Sequence, residues 1–201
     1  MNFYRLYPIE LDNYKDKAII CEGDNDSKMY EYTFNLAKRY DGWNGNFKIL
    51  YDIKDVKKGK RFTDSLLTNM AWFVVSEKFK TILEGLNTEI QFLPVEVCEK
   101  NNKGPTYTYY IANILTVVDA LCLDISEYFV TNIKIHDNER QIYNFSKHGI
   151  YKSKTNGKDL FKLLEVNTVT LTPIFISEKA KKIIEQNKIT EVSFARLSTR
   201  E

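Results

Sequence analysis

Three observations predict an α+β fold, a mostly antiparallel sheet with a few helices. Short stretches rich in aromatic and β-branched residues outnumber helical patterns, and the two do not alternate strictly as a parallel α/β sheet requires. Twice, a buried strand runs into a serine that opens an amphipathic helix. With 201 residues, 43% of them hydrophobic, the chain can fill one composite core, and no Pro-rich or Gly/Ser linker divides it. One composite domain over residues 1–201 is therefore expected, with residues 1–60 as a possible N-terminal lobe of the same unit.

The opening third alternates strand-like pieces, Phe3 to Tyr7, Ala18 to Cys21 and Phe47 to Ile53, with polar turns. Residues 22 to 31 form an acidic stretch carrying Asp24 and Asp26, and its Gly-Asp-Asn-Asp-Ser run is turn chemistry. From Lys54 to Arg61 the sign reverses: Lys54, Lys57, Lys58, Lys60 and Arg61 face Asp55 alone. Met70 to Val75 reads as a continuous buried strand. It ends at Ser76, an N-cap, with Glu77 matched to the helix dipole. Phe79, Ile82, Leu83 and Leu86 then follow at i, i+3, i+4 and i+7, and Gly85 supplies a stop.

Ile90 to Val97 is the next strand, followed by Thr106 to Asn113 with its tyrosines. Glu127 to His136 and Gln141 to Phe145 read as a pair closed by an Asp-Asn turn, and Ser146 to Gly157 as a basic loop. Thr168 to Ile176 leads into Ser177, a second cap, and a helix with Ala180, Ile183 and Ile184 on one stripe. The two strand-cap-helix units lie 101 residues apart, and six of ten aligned positions from Val75 and from Ile176 are identical. Duplication accounts for this, and so does the common physics of a capped helix after a strand.

Charge and composition exclude several functions. Lys and Arg total 29 against 27 Asp and Glu, a net of +2, which argues against a dedicated nucleic-acid binder. The longest apolar run is six residues, Met70 to Val75, far below the roughly 20 that cross a bilayer. The first residues lack the pattern of a secretory signal, so a cytoplasmic address is expected.

The three cysteines form no C-x-x-C pair, and free cysteines beside apolar residues act as small hydrophobes. Neither His136 nor His148 stands in a metal-binding context. No phosphate loop, dinucleotide fingerprint or nucleophile elbow occurs. No catalytic residue, metal or cofactor is assigned.

The residues by themselves declare no chemistry, and candidates for facing a partner are read from exposure and charge. Tyr40, Trp43 and Tyr51, flanked by Asp, Gly and Asn, are the candidate exposed aromatics, since tyrosine and tryptophan anchor interfaces. Lys57, Lys58, Lys60, Arg61, Asp24 and Asp26 are the candidate charged contacts, because complementary potential steers a partner. A rival enzyme would need His136 or His148 beside a carboxylate in a polar pocket, and a third reading is a general interaction module.

One set of landmarks carries a resemblance: Asp64-Ser-Leu, Phe73-Val-Val-Ser-Glu-Lys, Phe92-Leu-Pro-Val, Tyr109-Tyr-Ile-Ala-Asn113, Val118-Asp-Ala-Leu-Cys-Leu-Asp124, and Ile174-Phe-Ile-Ser-Glu-Lys before Phe194. In order and spacing these resemble immunity family eleven of bacterial polymorphic toxin systems, formerly a domain of unknown function, over roughly residues 60–198. The resemblance implies a cytoplasmic protein, encoded beside a toxin, that binds that toxin and blocks it without catalysis. It implies structural roles for its landmarks and identifies no toxin contact, so the contacts are expected in the loops at 22–31, 40–46, 54–62 and 147–158.

Overall fold

A computed structural model describes all residues except 8–17, 25–35, 46–47, 71, 102, 136–137 and 165–172, with 133–135 and 138–140 given as backbone. Its first half is a closed six-stranded barrel. Around it run β2 (Ile20–Gly23), β3 (Lys48–Tyr51), β6 (Ile90–Glu99), β7 (Tyr107–Ile114), β5 (Val74–Val75) and β4 (Ser65–Thr68). Helix α1 (Ile53–Lys57) joins β3 to β4, and α2 (Glu77–Glu84) joins β5 to β6. Closure leaves no strand edge of the cycle unpaired. The alternation of each strand sends Ile49, Tyr51, Val95, Val97, Tyr109 and Ile111 into the barrel, where they pack with Trp72 and Val74.

The second half repeats this arrangement nearly strand for strand. A sheet in the order β14 (Ser193–Arg196), β1 (Phe3–Tyr7), β13 (Ile174–Ser177), β12 (Leu160–Leu163), β8 (Val117–Val118) matches β6-β7-β5-β4-β2. The ladders agree in direction and in register. Val75 pairs with Tyr110 as Ile176 pairs with Tyr4, and Ala112 with Phe92 as Leu6 with Phe194. The parallel pair Ile20↔Leu67 of the barrel recurs as Val117↔Lys162.

The strand equivalent to β6 is interrupted at the buried Leu197 and resumes as β15 (Ser198–Arg200). β15 pairs in parallel with β11 (Gly149–Tyr151), as β6 pairs in parallel with β3. A single bridge, Leu121↔Ile150, links β11 to the β8 side. Phe3, Val118, Ile150, Phe161, Phe175 and Leu197 fill this second interior. In the second unit the place of β7 is taken by the N-terminal strand β1.

The two units share one core. From the first come Phe73, Val75, Phe79, Leu83 and Ala112, and from the second Ile174, Ile176, Ala180, Ile184 and Leu6, with α3 (Glu178–Gln186) opposite α2 in role. Full burial of each large side chain contributes about 1.5–3 kcal/mol. Both helices are capped as the sequence predicts. Ser76 Oγ accepts the amide of Phe79 at 3.2 Å and Ser177 Oγ that of Ala180 at 3.1 Å.

Each cap serine also donates to an aspartate one strand away, Ser76 to Asp64 and Ser177 to Asp159, both at 2.8 Å. Those aspartates reach across to the other unit. The amide of Asn87, after α2, donates to Asp159, and the amide of Thr190, after α3, donates to Asp64. On each helix a lysine lies over two rings of the adjoining strands, Lys80 over Tyr110 and Phe92, Lys181 over Tyr4 and Phe194.

Strands β9 (Glu127–Ile135) and β10 (Asn138–Lys147) form a separate antiparallel ribbon, inserted between β8 and β11. The barrel carries residues 24–47 at the equivalent place, between β2 and β3. A bulge between Phe145 and Lys147 marks the ribbon's root. There Ser146 Oγ donates to the Glu127 carbonyl, and Ser126 Oγ accepts the Gly149 amide at 2.8 Å. Gly149 is required here, since a Cβ on it would sit 2.5 Å from Ile125 Cγ1 and 2.9 Å from the Cys122 carbonyl.

Several sequence expectations change. The strand expected over Met70 to Val75 is confined to Val74–Val75, although Trp72 and Phe73 are also buried. Of the strand expected over Thr168 to Ile176, Ile174–Ser177 is observed and 168–172 lie outside the described residues. Ser146 to Gly157 is no loose loop: it contributes β11, the 3-10 turn Ser153–Thr155, and the buried His148, Ile150 and Thr155. Its polar composition satisfies turn and capping bonds around a few inward side chains.

Candidate partner-binding surface

The expected contact residues separate by burial. Tyr51 is only 1% exposed, which corrects its assignment as an exposed aromatic. The strand period turns it inward beside Ile49, and the hydroxyl donates to the Pro105 carbonyl at 3.1 Å. Its ring stands edge-on to Phe62 at 5.0 Å. The polar Asp52 that follows it in sequence is instead the N-cap of α1, accepting the Lys54 amide at 2.8 Å.

Tyr40 and Trp43 are half-buried and edge-to-face at 6.3 Å. Both fix their segment to β6. The Tyr40 amide donates to Gln91 Oε1, Gln91 Nε2 donates back to the Tyr40 carbonyl, and Trp43 Nε1 donates to the Pro94 carbonyl. Asp24 closes the turn into β3, where its carboxylate accepts the Lys48 amide at 2.6 Å. Asp26 lies outside the described residues.

The basic segment is more open. Lys57 and Lys58 are exposed at the end of α1, and Arg61 is exposed beyond the left-handed Gly59. Lys60 is drawn back onto Asp55 at 3.1 Å, with both side chains mostly covered. Arg61, Phe62 and Thr63 form one wall of a cleft of about 430 Å³, and Lys188 to Val192 form the other.

The second wall went unrecognised in the sequence, and its geometry is unusual. Lys188 (φ 53°) and Glu191 (φ 56°) are both left-handed, a conformation that strains residues with a Cβ. Lys188 occupies the seat usually held by glycine after a helix. Its amide donates to the Glu185 carbonyl and the next amide, Ile189, to that of Ile184, the paired bonds of a Schellman turn. The sequence signal was the absence of glycine after the helical stripe. The cleft thus presents two exposed cations, Arg61 and Lys188, among lining residues that include Phe62 and the buried Glu191.

The groups with the largest titration shifts lie elsewhere. Burial pushes the Cys21 thiol up to about 12 inside the barrel, and burial likewise raises Tyr109, whose hydroxyl donates to the Thr63 carbonyl. Burial lowers the Lys162 ammonium to about 8. His148 is a core ring, stacked on Phe145 at 4.7 Å and edge-on to Phe175 at 4.9 Å, while His136 lies outside the described residues. Among the described residues, no cluster of three His, Cys, Asp or Glu side chains is placed to hold a metal ion. No helix among them is long and apolar enough to cross a membrane.

The model of the Immunity protein family (Imm11) matches residues 11–199 of the chain. The chain belongs to the Imm11 immunity protein family. No curated protein matches it. Membership points to a toxin-immunity role and to a non-enzymatic one. The match takes in the first unit, the ribbon and the second unit apart from β1, and it begins well ahead of residues 60–198, over which the sequence resemblance was clearest.

Proposed function

We propose that this chain protects the cell that makes it by binding a cognate toxin one to one and blocking it, with no chemistry of its own. The observation that carries this is the Imm11 match over residues 11–199. The groups with shifted titration support it, because Cys21 and Tyr109 serve packing and hydrogen bonding inside the first barrel rather than lining the cleft. The toxin is the product of an adjacent gene, the encounter takes place in the cytoplasm, and the chain acts as one composite domain through its shared core.

The exposed cations Lys57, Lys58 and Arg61 are the charged contacts retained from the sequence. Their role is to steer an oppositely charged patch of the toxin. Co-expression with the adjacent-gene product tests the reading. Survival together with a one-to-one complex is the expected result, and survival without a complex would instead indicate an enzyme that reverses the damage. The double reversal Lys57→Glu, Lys58→Glu should slow association at low salt, and an unchanged association rate removes this segment from the contact surface.

A further inference from the structure

The two units have nearly the same strand order, so the segments in which they differ most are not needed to build it. At equivalent places, the first unit inserts residues 24–47 and the second inserts the β9–β10 ribbon. The first insertion is held down on β6 through Tyr40 and Trp43. The second is different: among the described residues its strands are laddered only to each other. It nevertheless leaves large apolar side chains in solvent, with Phe129 64% exposed, Val130 42% and Tyr128 39%.

We propose that this ribbon is the arm that docks into an apolar cleft of the toxin, with both of its faces covered. The inference rests on the immunity reading above and names the element that makes the contact. Cross-strand register assigns the faces. Tyr128 pairs with Phe145 and Val130 with Tyr143 on one side, and Phe129 pairs with Asn144 and Thr131 with Ile142 on the other.

Charge and area select the partner. From Glu127 to Lys147 the sequence carries three acids, Glu127, Asp137 and Glu139, against three bases, Lys134, Arg140 and Lys147. A neutral arm has no affinity for a phosphate backbone, and this favours a protein surface with an apolar centre. Nine residues of strand span about 30 Å, and two strands about 4.8 Å apart give a face of roughly 300 Å². Stable complexes bury about 800 Å² per partner, so one face packed on a second copy of this chain is too small. Covering both faces and the edges approaches that area, and a cleft provides this.

The arm is also set in direction before binding. Tyr128, Tyr143 and Phe145 pack together, Phe145 stacks on the buried His148, and His148 meets Phe175 of the second interior. A pre-set arm loses less freedom on docking.

The test measures affinity of the full chain for the adjacent-gene product by calorimetry. Phe129→Ala and Tyr143→Ala, one from each face, should each weaken binding by about 30-fold or more, as interface anchors do. Hydrogen exchange on the unmodified complex should show new protection on both β9 and β10, a readout independent of whether a variant folds. Binding unchanged within twofold in both variants overturns the proposal, as does loss confined to one face, which means a flat contact. Self-association of the unmodified chain through the ribbon overturns it too. If the unmodified chain does not bind at all, the immunity reading itself fails, an outcome distinct from failure of the ribbon.

Discussion

The Ser177 hydroxyl donates to the Asp159 carboxylate at 2.8 Å while accepting the amide that opens α3. Asp159 is nearly closed to solvent, with 2% of its side chain exposed, and it also accepts from Lys179 Nζ and from the Asn87 amide of the other unit. One carboxylate therefore supports a helix start and fastens the two units together. Burial raises this carboxyl, but Lys179, the Asn87 amide and Ser177 outweigh it and hold it below the usual value. Asp159→Ala should cost about 3 kcal/mol, because it strands buried donors. Asp64→Ala, at the matching but more open station, should cost about half as much.

The pH dependence of that pair follows with its sign. A carboxyl depressed in the folded state adds stability that is complete above about pH 4, the unfolded value, and is lost as pH falls through the folded value. The stability difference between the unmodified chain and Asp159→Asn should therefore shrink below about pH 4. Urea titrations at pH 7 and pH 3 check it, and a difference that grows in acid refutes the assignment.

Lys188 gives the opposite sign of substitution. Holding a Cβ residue in the left-handed seat costs on the order of 1 kcal/mol. Lys188→Gly should raise stability by about that amount, read as a higher urea midpoint at an unchanged slope. Lys182→Gly, in the exposed middle of α3, should lower it by about 1 kcal/mol. A stability cost accepted at a cleft rim is a common mark of a functional position, and for this reason Lys188 joins Arg61 among the candidate contacts.

Lys162 sits in the second unit where the first has Leu67, and it is 3% exposed. Burial lowers its ammonium from about 10.5 to about 8. Below pH 8 the folded state carries the net cost that the lowered value expresses, and that cost is relieved as pH rises from 8 to about 10.5, since the unfolded chain then holds the extra proton. Lys162→Met should thus stabilise the chain by roughly 2 kcal/mol at pH 7, with the gain fading toward pH 10. Thermal melts at pH 7 and 9.5 measure both, and a destabilised variant would show that the ammonium makes a net favourable contact.

What was legible in the sequence was local. The caps at Ser76 and Ser177 and the stripes behind them are set by contacts within four residues, and they appear where the spacing put them. The ribbon was legible for the same reason, because its strands adjoin in sequence. Burial was harder to read: Tyr51 has polar neighbours in sequence, and its inward turn depends on pairing β3 with Glu96 to Glu99, nearly fifty residues on. Lys188 gave no motif, since a strained lysine looks in sequence like any solvated one. The extent of the repeat was hidden because β1 completes a unit whose other strands lie more than a hundred residues away.

That last relationship makes a strong prediction about chain order. In the first unit β6 ends at Glu99 and β7 begins at Tyr107, with seven residues between them. Register places Tyr4 where the barrel has Tyr110, and Phe194 where it has Phe92. By the same offsets Met1 corresponds to Tyr107 and Glu201 to Glu99, so a seven-residue linker should carry Glu201 to Met1 as residues 100–106 carry β6 to β7. A chain that starts at Pro8, runs to Glu201 and returns through such a linker to residues 1–7 should fold, with a melting temperature within about 5 °C of the original order. Leaving residues 1–7 out altogether removes the strand between β13 and β14 and should leave the second unit unfolded. If the reordered chain also fails to fold, the covalent continuity of β1 with the residues that follow it matters to folding, and the two units are alike in shape without being interchangeable in order.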